Sequence, residues 1–168
     1  MTKKKEGAHL PIYGVGPLYV ISIVLLTAAG ITLSLASHAL DSGVIFVLRL
    51  PLFILGILLI LPGARLWAAA VLCDKVDEEI AQNRLVTTGM YALVRNPIYT
   101  AFTAVCTGVL LLCGNLWLLI LPPVFWLFLT LLMKATEEKW LARQYGEEYR
   151  AYCRRVNRCL PWFPKKTS

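Results

Sequence analysis

Four runs of apolar residues, each close to or beyond the length a helix needs to cross a bilayer, dominate this chain and limit what it can fold into. A hydrocarbon core about 30 Å thick takes about 20 consecutive apolar residues in helical form. The first run, about residues 15–36, carries no charge; Gly14, Gly16 and Pro17 mark its start, and His38, Asp41, Ser42 and Gly43 mark the turn after it. The second, about 44–72, contains Arg49 and Arg65 and is interrupted by Pro51, Pro62 and Gly63, so a kinked helix is expected. The third, about 97–113, is short for a span, and Gly114-Asn115 turns it tightly into the fourth, about 116–133, which Pro122 and Pro123 should bend. With 58% hydrophobic and only 16% charged residues, the chain has too little polar surface to cover this apolar mass in water. The expected fold is an all-α integral membrane protein of about four transmembrane helices in two hairpins, followed by a C-terminal amphipathic cytosolic helix. The whole chain, 1–168, reads as a single domain with a cytosolic linker, 73–96, and a cytosolic tail, 134–168.

Basic residues set the expected orientation, because short loops rich in Lys and Arg stay on the cytoplasmic side. Lys3, Lys4 and Lys5 precede the first run, the turn at 38–43 has no Lys or Arg, the linker has Lys75, Arg84 and Arg95, and the Gly114 turn has none. The tail from Lys134 onward has nine. An even number of crossings with both termini cytoplasmic satisfies every segment. The first run exceeds the about 7 to 15 apolar residues of a signal peptide, which favours an uncleaved span. The net charge of +7 sits beside membrane spans and lacks an aromatic stacking platform, so anionic lipid head groups are the expected partner and nucleic acid is not. Cys73, Cys106, Cys113, Cys153 and Cys159 form no C-x-x-C pair and have no close His, which suggests reduced thiols, no disulfide framework and no metal site.

The informative polar residues lie in the linker and the tail. In RLVTTGMYALVRNPIY, residues 84–99, Gly89 permits a turn, and Pro97 suits the first turn of the third helix with Asn96 as its cap. A helix N-terminus flanked by Arg95, Tyr91 and Tyr99 suits a bound carboxylate. It equally suits an interfacial belt of aromatic rings and Arg at the head groups, and the residue types by themselves favour the belt. In the tail, Trp140, Leu141, Tyr145, Tyr149, Tyr152 and Val156 recur at three- and four-residue steps, the pattern of an amphipathic helix that can simply lie on the membrane. Glu137 and Glu138 fall within a turn of the apolar end of the fourth run, where an unpaired carboxylate is costly. Partners are therefore expected, Arg95 being one candidate and the hydroxyl or amino groups of a polar ligand another.

These two blocks resemble the isoprenylcysteine carboxyl methyltransferase family. The linker is similar to its L-V-x-x-G-x-Y-x-x-x-R-H-P-x-Y signature, and the tail is similar to its E-E, F-G-E-E-Y and basic R-V ending in L-P. They stand in the family's order, separated by one helical hairpin, and the resemblance covers about residues 44–163. It implies a membrane methyltransferase that uses S-adenosylmethionine, enclosed between helix ends and tail. By position the family's cofactor contacts fall on Leu85, Val86, Tyr91, Pro97, Ile98, Tyr99 and Glu137, and Asn96 and Glu138 are expected to bind the cofactor with them. Methyl transfer from a sulfonium depends on in-line placement and exclusion of water more than on an acid or base.

Two departures stand out. Asn96 occupies the place of the family's His, and an amide keeps hydrogen bonding but carries no charge. Met133 stands where the eukaryotic enzymes have a substrate-recognising Arg, so Arg95 and Lys134 are the residues left to orient an acceptor, with Arg65 as a further cation that can also snorkel. The implied acceptor is lipid-like or prenylated, possessing an isoprenylcysteine-type carboxylate in the narrower form, and arrives from the bilayer. The competing readings are an NADPH-dependent membrane sterol or enone reductase, whose R-H-P-x-Y segment is similar, and a catalytically inactive protein on the same scaffold.

Overall fold

The structure is a computed structural model and describes residues 15–72 and 84–160. Lys3, Lys4, Lys5, Cys73, Lys75 and the tail from Pro161 onward lie outside the described residues. Within them all regular structure is helical. Helix α1 (Gly16–Ala36) leads through a 3-10 turn (His38–Gly43) to α2 (Phe46–Leu72), and another 3-10 turn (Gly89–Ala92) precedes α3 (Pro97–Leu112). A third 3-10 segment (Leu116–Ile120) runs into α4 (Leu121–Ala135), followed by α5 (Glu137–Tyr145) and α6 (Glu147–Arg155). Three helical stretches, Gly16–Ala36, Phe46–Leu72 and Leu116–Tyr145, are long and apolar enough to cross a membrane. The chain is an all-α integral membrane protein, as its apolar runs led us to expect.

Helix α3 is the exception in length and the centre of the packing. Its 16 residues span about 24 Å at about 1.5 Å per residue, less than the hydrocarbon core. It buries Pro97, Thr100, Ala101, Cys106, Gly108, Leu110 and Leu111, whereas the flanking helices expose most of their large apolar side chains, such as Leu25 and Leu33 on α1 and Phe46, Leu58 and Leu72 on α2. Exposed leucines and phenylalanines at this density are what a lipid environment accepts and water does not.

Two outer helices turn narrow stripes inward. On α1 the buried residues are Gly16, Tyr19, Ile23 and Thr27, one face at helical spacing. On α2 they are Gly56, Gly63 and Ala70, seven residues apart, and the α3 backbone passes close against the two glycines. A Cβ on Gly56 would stand 2.8 Å from the Gly108 carbonyl oxygen, and one on Gly108 would stand 2.7 Å from that of Gly56. In lipid there is no hydrophobic drive between helices, so this backbone proximity supplies the packing that joins α2 to α3. Arg49 and Arg65 both lie on exposed parts of α2, and Arg65 makes no ion pair with a described residue.

Several local expectations are refined. Pro122 and Pro123 stand at the start of α4, where a missing N–H costs nothing, and mark the change from 3-10 to α geometry instead of bending a continuous helix. The amphipathic tail is helical in two segments, because Gly146 takes a positive φ of 56° between α5 and α6. Asn115 closes the far end of the bundle: its side chain accepts from the Trp117 N–H and donates to Ser34 Oγ and the Leu40 carbonyl. At the opposite end the Val15 N–H donates to Glu137, so the start of α1 and the end of α4 share one pole.

The glycine contact gives a direct test. Gly56→Ala and Gly108→Ala each force backbone apart and should cost about 1–3 kcal/mol, read as lowered thermal stability in detergent. Gly30→Ala should cost less than either, because its added methyl meets only side-chain ends, those of Leu121 and Leu118, and no backbone.

Candidate functional site

The linker, the first turn of α3, the first turn of α5 and the segment after α6 converge at the pole that holds Val15. Pro97 opens α3 with its ring fully buried. Asn96 takes the N-cap position but makes no capping hydrogen bond; its Nδ2 donates 3.1 Å to the Arg158 carbonyl instead. Tyr99, in the first turn of α3, is half-buried. The Tyr99 hydroxyl donates to Glu137 Oε1 at 3.1 Å, and the Val15 N–H donates to the same oxygen at 3.3 Å. No cation among the described residues pairs with Glu137. Tyr99 is held from behind by Tyr19, an edge-on ring 5.9 Å away, and by Gly16, where a Cβ would meet the Tyr99 hydroxyl at 2.5 Å.

The expected pairing of Arg95 with the acidic pair is present, on Glu138 and not on Glu137. Arg95 Nη1 lies 3.1 Å from Glu138 Oε1, and Arg158 grips the same carboxylate with two bonds, Nε to Oε1 at 2.6 Å and Nη2 to Oε2 at 2.9 Å. The side chains of Arg95, Glu138 and Arg158 are only 11%, 18% and 19% exposed, so water screens this cluster little. Arg95 Nη1 also reaches Cys153 Sγ at 2.7 Å and the Tyr149 hydroxyl at 3.4 Å, while its Nε is buried without a described partner. The bond to Glu138 holds Arg158 in its charged form, its pKa raised further.

The aromatic face of the tail packs on protein and does not simply lie on the membrane. Tyr149, Tyr152 and Val156 form a cluster with Leu85, Leu141 and Tyr145. The Tyr152 hydroxyl donates to the Tyr91 carbonyl at 2.6 Å, and the Tyr145 hydroxyl donates to the Arg84 carbonyl at 3.3 Å. Burial raises the Tyr149 and Tyr152 hydroxyls above the ordinary tyrosine range, so both stay protonated as donors near neutral pH.

Of the residues expected from sequence, Tyr99 meets Glu137, Arg95 meets Glu138, and Asn96, Pro97 and Ile98 form the turn between them. Leu85, Val86 and Tyr91 are half-buried in the linker beside the tail cluster. Lys134 is exposed in the last turn of α4, and Met133 is fully buried in the core, so no cation occupies that inward position. Arg158, Tyr19 and Val15 were not expected. The basic R-V-N-R stretch carried the only signal for Arg158, and nothing in an apolar run distinguishes Tyr19. Among the described residues no group of His, Cys, Asp and Glu could hold a metal. A cavity of about 390 Å³ lined by Arg49, Leu50, Phe53, Leu112 and Cys113 sits at the opposite pole, remote from these groups.

A family model described as phospholipid methyltransferase matches residues 44–148, from the start of α2 into α6. Protein-S-isoprenylcysteine O-methyltransferase of Schizosaccharomyces pombe (strain 972 / ATCC 24843) is 36% identical over 81 residues, 48% of this chain and 34% of that protein. Probable protein-S-isoprenylcysteine O-methyltransferases of Oryza sativa subsp. indica and subsp. japonica are each 33% identical over 82 residues, 48% of this chain and 42% of theirs. The chain thus spans well under half the length of these curated relatives. No solved structure matches.

The shared carboxylate makes a testable asymmetry. Glu138→Gln leaves two guanidinium groups facing an amide and should cost about 3 kcal/mol, the lower end for a broken buried pair because each partner keeps some solvent. Glu147→Gln, whose pairs with Arg150 and Arg154 are exposed, should leave thermal stability unchanged.

Proposed function

We propose, from the premise that the chain belongs to the phospholipid methyltransferase family, that it transfers a methyl group from S-adenosylmethionine to a lipid-like or prenylated acceptor at the cytoplasmic membrane face. The observation that carries this reading is the Glu137 carboxylate, lodged with the Tyr99 hydroxyl at the head of a short buried helix and left without a counter-cation among the described residues. A carboxylate so placed suits ribose hydroxyls or an ammonium group. Leu85, Val86, Ile98 and the Tyr91 ring offer apolar and aromatic walls for a purine, and Pro97 fixes where the helix begins. The buried Arg95 Nε, orphaned in the cluster, is a donor suited to a carboxylate.

Bound as a sulfonium, the cofactor supplies an electrophilic methyl group whose departure leaves a neutral thioether. This chain's residues then have to bind, orient and exclude water, and the transfer calls for no nucleophilic side chain. The relatives' names favour an isoprenylcysteine-type carboxylate as the acceptor. With Met133 in the core, Arg95 and Lys134 are the cations left to orient it. An apolar acceptor reaches the pocket sideways from the bilayer, past helices that already face lipid. Exposed Lys134, Lys139, Arg143 and Arg155 would hold the helical tail against anionic head groups, with both termini cytoplasmic and the chain acting as one domain.

Thermal stability of the detergent-solubilised protein separates this reading from a reductase. S-adenosylhomocysteine at a hundredfold excess over its Kd should stabilise by about 2.7 kcal/mol, and NADPH should have no effect. Stabilisation by NADPH alone, or by neither, rejects the proposal. Glu137→Ala should abolish the response. For the acceptor, transfer of labelled methyl to a prenylated cysteine with a free carboxylate, and none to its methyl ester, is the expected result.

A further inference from the structure

The segment Val156–Leu160 leaves α6 as a strap that crosses back over the head of α3, and three consecutive residues of it are tied down. The Arg95 N–H donates to the Asn157 carbonyl at 2.9 Å, Asn96 Nδ2 to the Arg158 carbonyl at 3.1 Å, and Thr100 Oγ1 to the Cys159 carbonyl at 3.0 Å. The Arg158 side chain adds its fork on Glu138. Beneath the strap, Cys159 is 9% exposed and joins the core cluster of Tyr19 and Met133, against which Tyr99 packs.

These anchors fall on the sequence neighbours of the two pocket residues. Asn96 and Thr100 flank Tyr99 on the first turns of α3, and Glu138 follows Glu137 in the first turn of α5. A strap bonded to both turns fixes their separation. An N-cap Asn ordinarily turns its side chain inward to accept from its own helix. Here the amide donates outward to the strap, and an amide does so at any pH, since it does not titrate.

We propose that Asn96 and Arg158 are positioning residues that clamp the strap Val156–Leu160 across α3 and α5, and thereby set the Tyr99 to Glu137 geometry without touching the cofactor. The pocket's occupant rests on the methyltransferase reading; the clamp does not. Asn96 thus serves in this chain as a fastener of the tail, and Glu138 as the seat of that fastener.

The buried Cys159 thiol reports the strap directly. Burial pushes its pKa up to about 11, so near neutral pH the covered thiol is alkylated slowly, and uncovering it both admits the reagent and relieves the shift. Full-length protein in detergent is treated with a water-soluble maleimide, and labelling at Cys159 is followed by mass spectrometry with buried Cys106 as internal reference. Asn96→Ala and Arg158→Ala should each speed Cys159 labelling about fivefold or more, and raise the S-adenosylhomocysteine concentration for half-maximal stabilisation by a similar factor. Thr100→Val, nearly isosteric, should do the same to a smaller extent, which covers the case of a variant that does not fold. Arg158→Lys keeps the charge but loses the fork and should fall between wild type and Arg158→Ala. Labelling at the wild-type rate in these variants overturns the clamp, and faster labelling with an unchanged half-maximal concentration overturns the positioning role. If wild-type protein itself gives no response to S-adenosylhomocysteine, the methyltransferase reading and the positioning role fall together, and the labelling rates alone decide the clamp.

Discussion

Two guanidinium groups share the Glu138 carboxylate, and three parts of the chain that are distant in sequence meet because of it. Arg95 comes from the linker before α3, Glu138 from the first turn of α5 and Arg158 from the segment after α6. At this low exposure a lone carboxylate or a lone guanidinium would be strongly unfavourable, so each of the three requires the others. The linker cannot drift from the tail without stranding a charge. That requirement builds a polar pole on a bundle whose remaining surface is almost wholly apolar.

The geometry of that pole depends on the packing of α3. Its first turns touch α1 through Tyr19 and Gly16, α5 through Glu137, and the strap through Asn96 and Thr100. Its backbone approaches α2 at Gly56 and Gly108 more closely than any side chain would permit, which fixes its height in the bundle. Tyr19 anchors it from α1, with its hydroxyl 2.7 Å from Thr103 Oγ1. Packing in the apolar bundle thus decides where the polar chemistry stands.

The acidic pair shows how adjacent identical residues acquire different tasks. Glu138 is saturated by two cations, whereas Glu137 takes one hydroxyl and one backbone N–H and no cation among the described residues. Consecutive helical residues point about 100° apart, so one faces the strap and the other faces α1 and α3. The saturated carboxylate ties the linker to the tail, and the lightly partnered one joins the starts of α1, α3 and α5.

Hydrophobic run length by itself determined that this is a helical membrane protein, because nothing but a bilayer accommodates so many exposed Leu, Ile and Phe side chains. The turn at Gly114-Asn115, the start of α3 at Pro97 and the pairing of Arg95 with the acidic block were also legible, since each rests on a local residue type: a positive φ, a missing N–H, a costly charge near hydrocarbon. Which glutamate Arg95 would take was not legible, nor was the role of Arg158, because both depend on helical phase and on a tail that folds back across 60 or so residues of chain. The break at Gly146 escaped a periodicity that continues through it. Asn96 read as a helix cap or a cofactor neighbour, and only the tertiary structure turned its amide toward the strap. Local sequence carries propensity and solvent preference; the choice among possible partners belongs to the packing, which brings candidates within hydrogen-bond reach and excludes the rest.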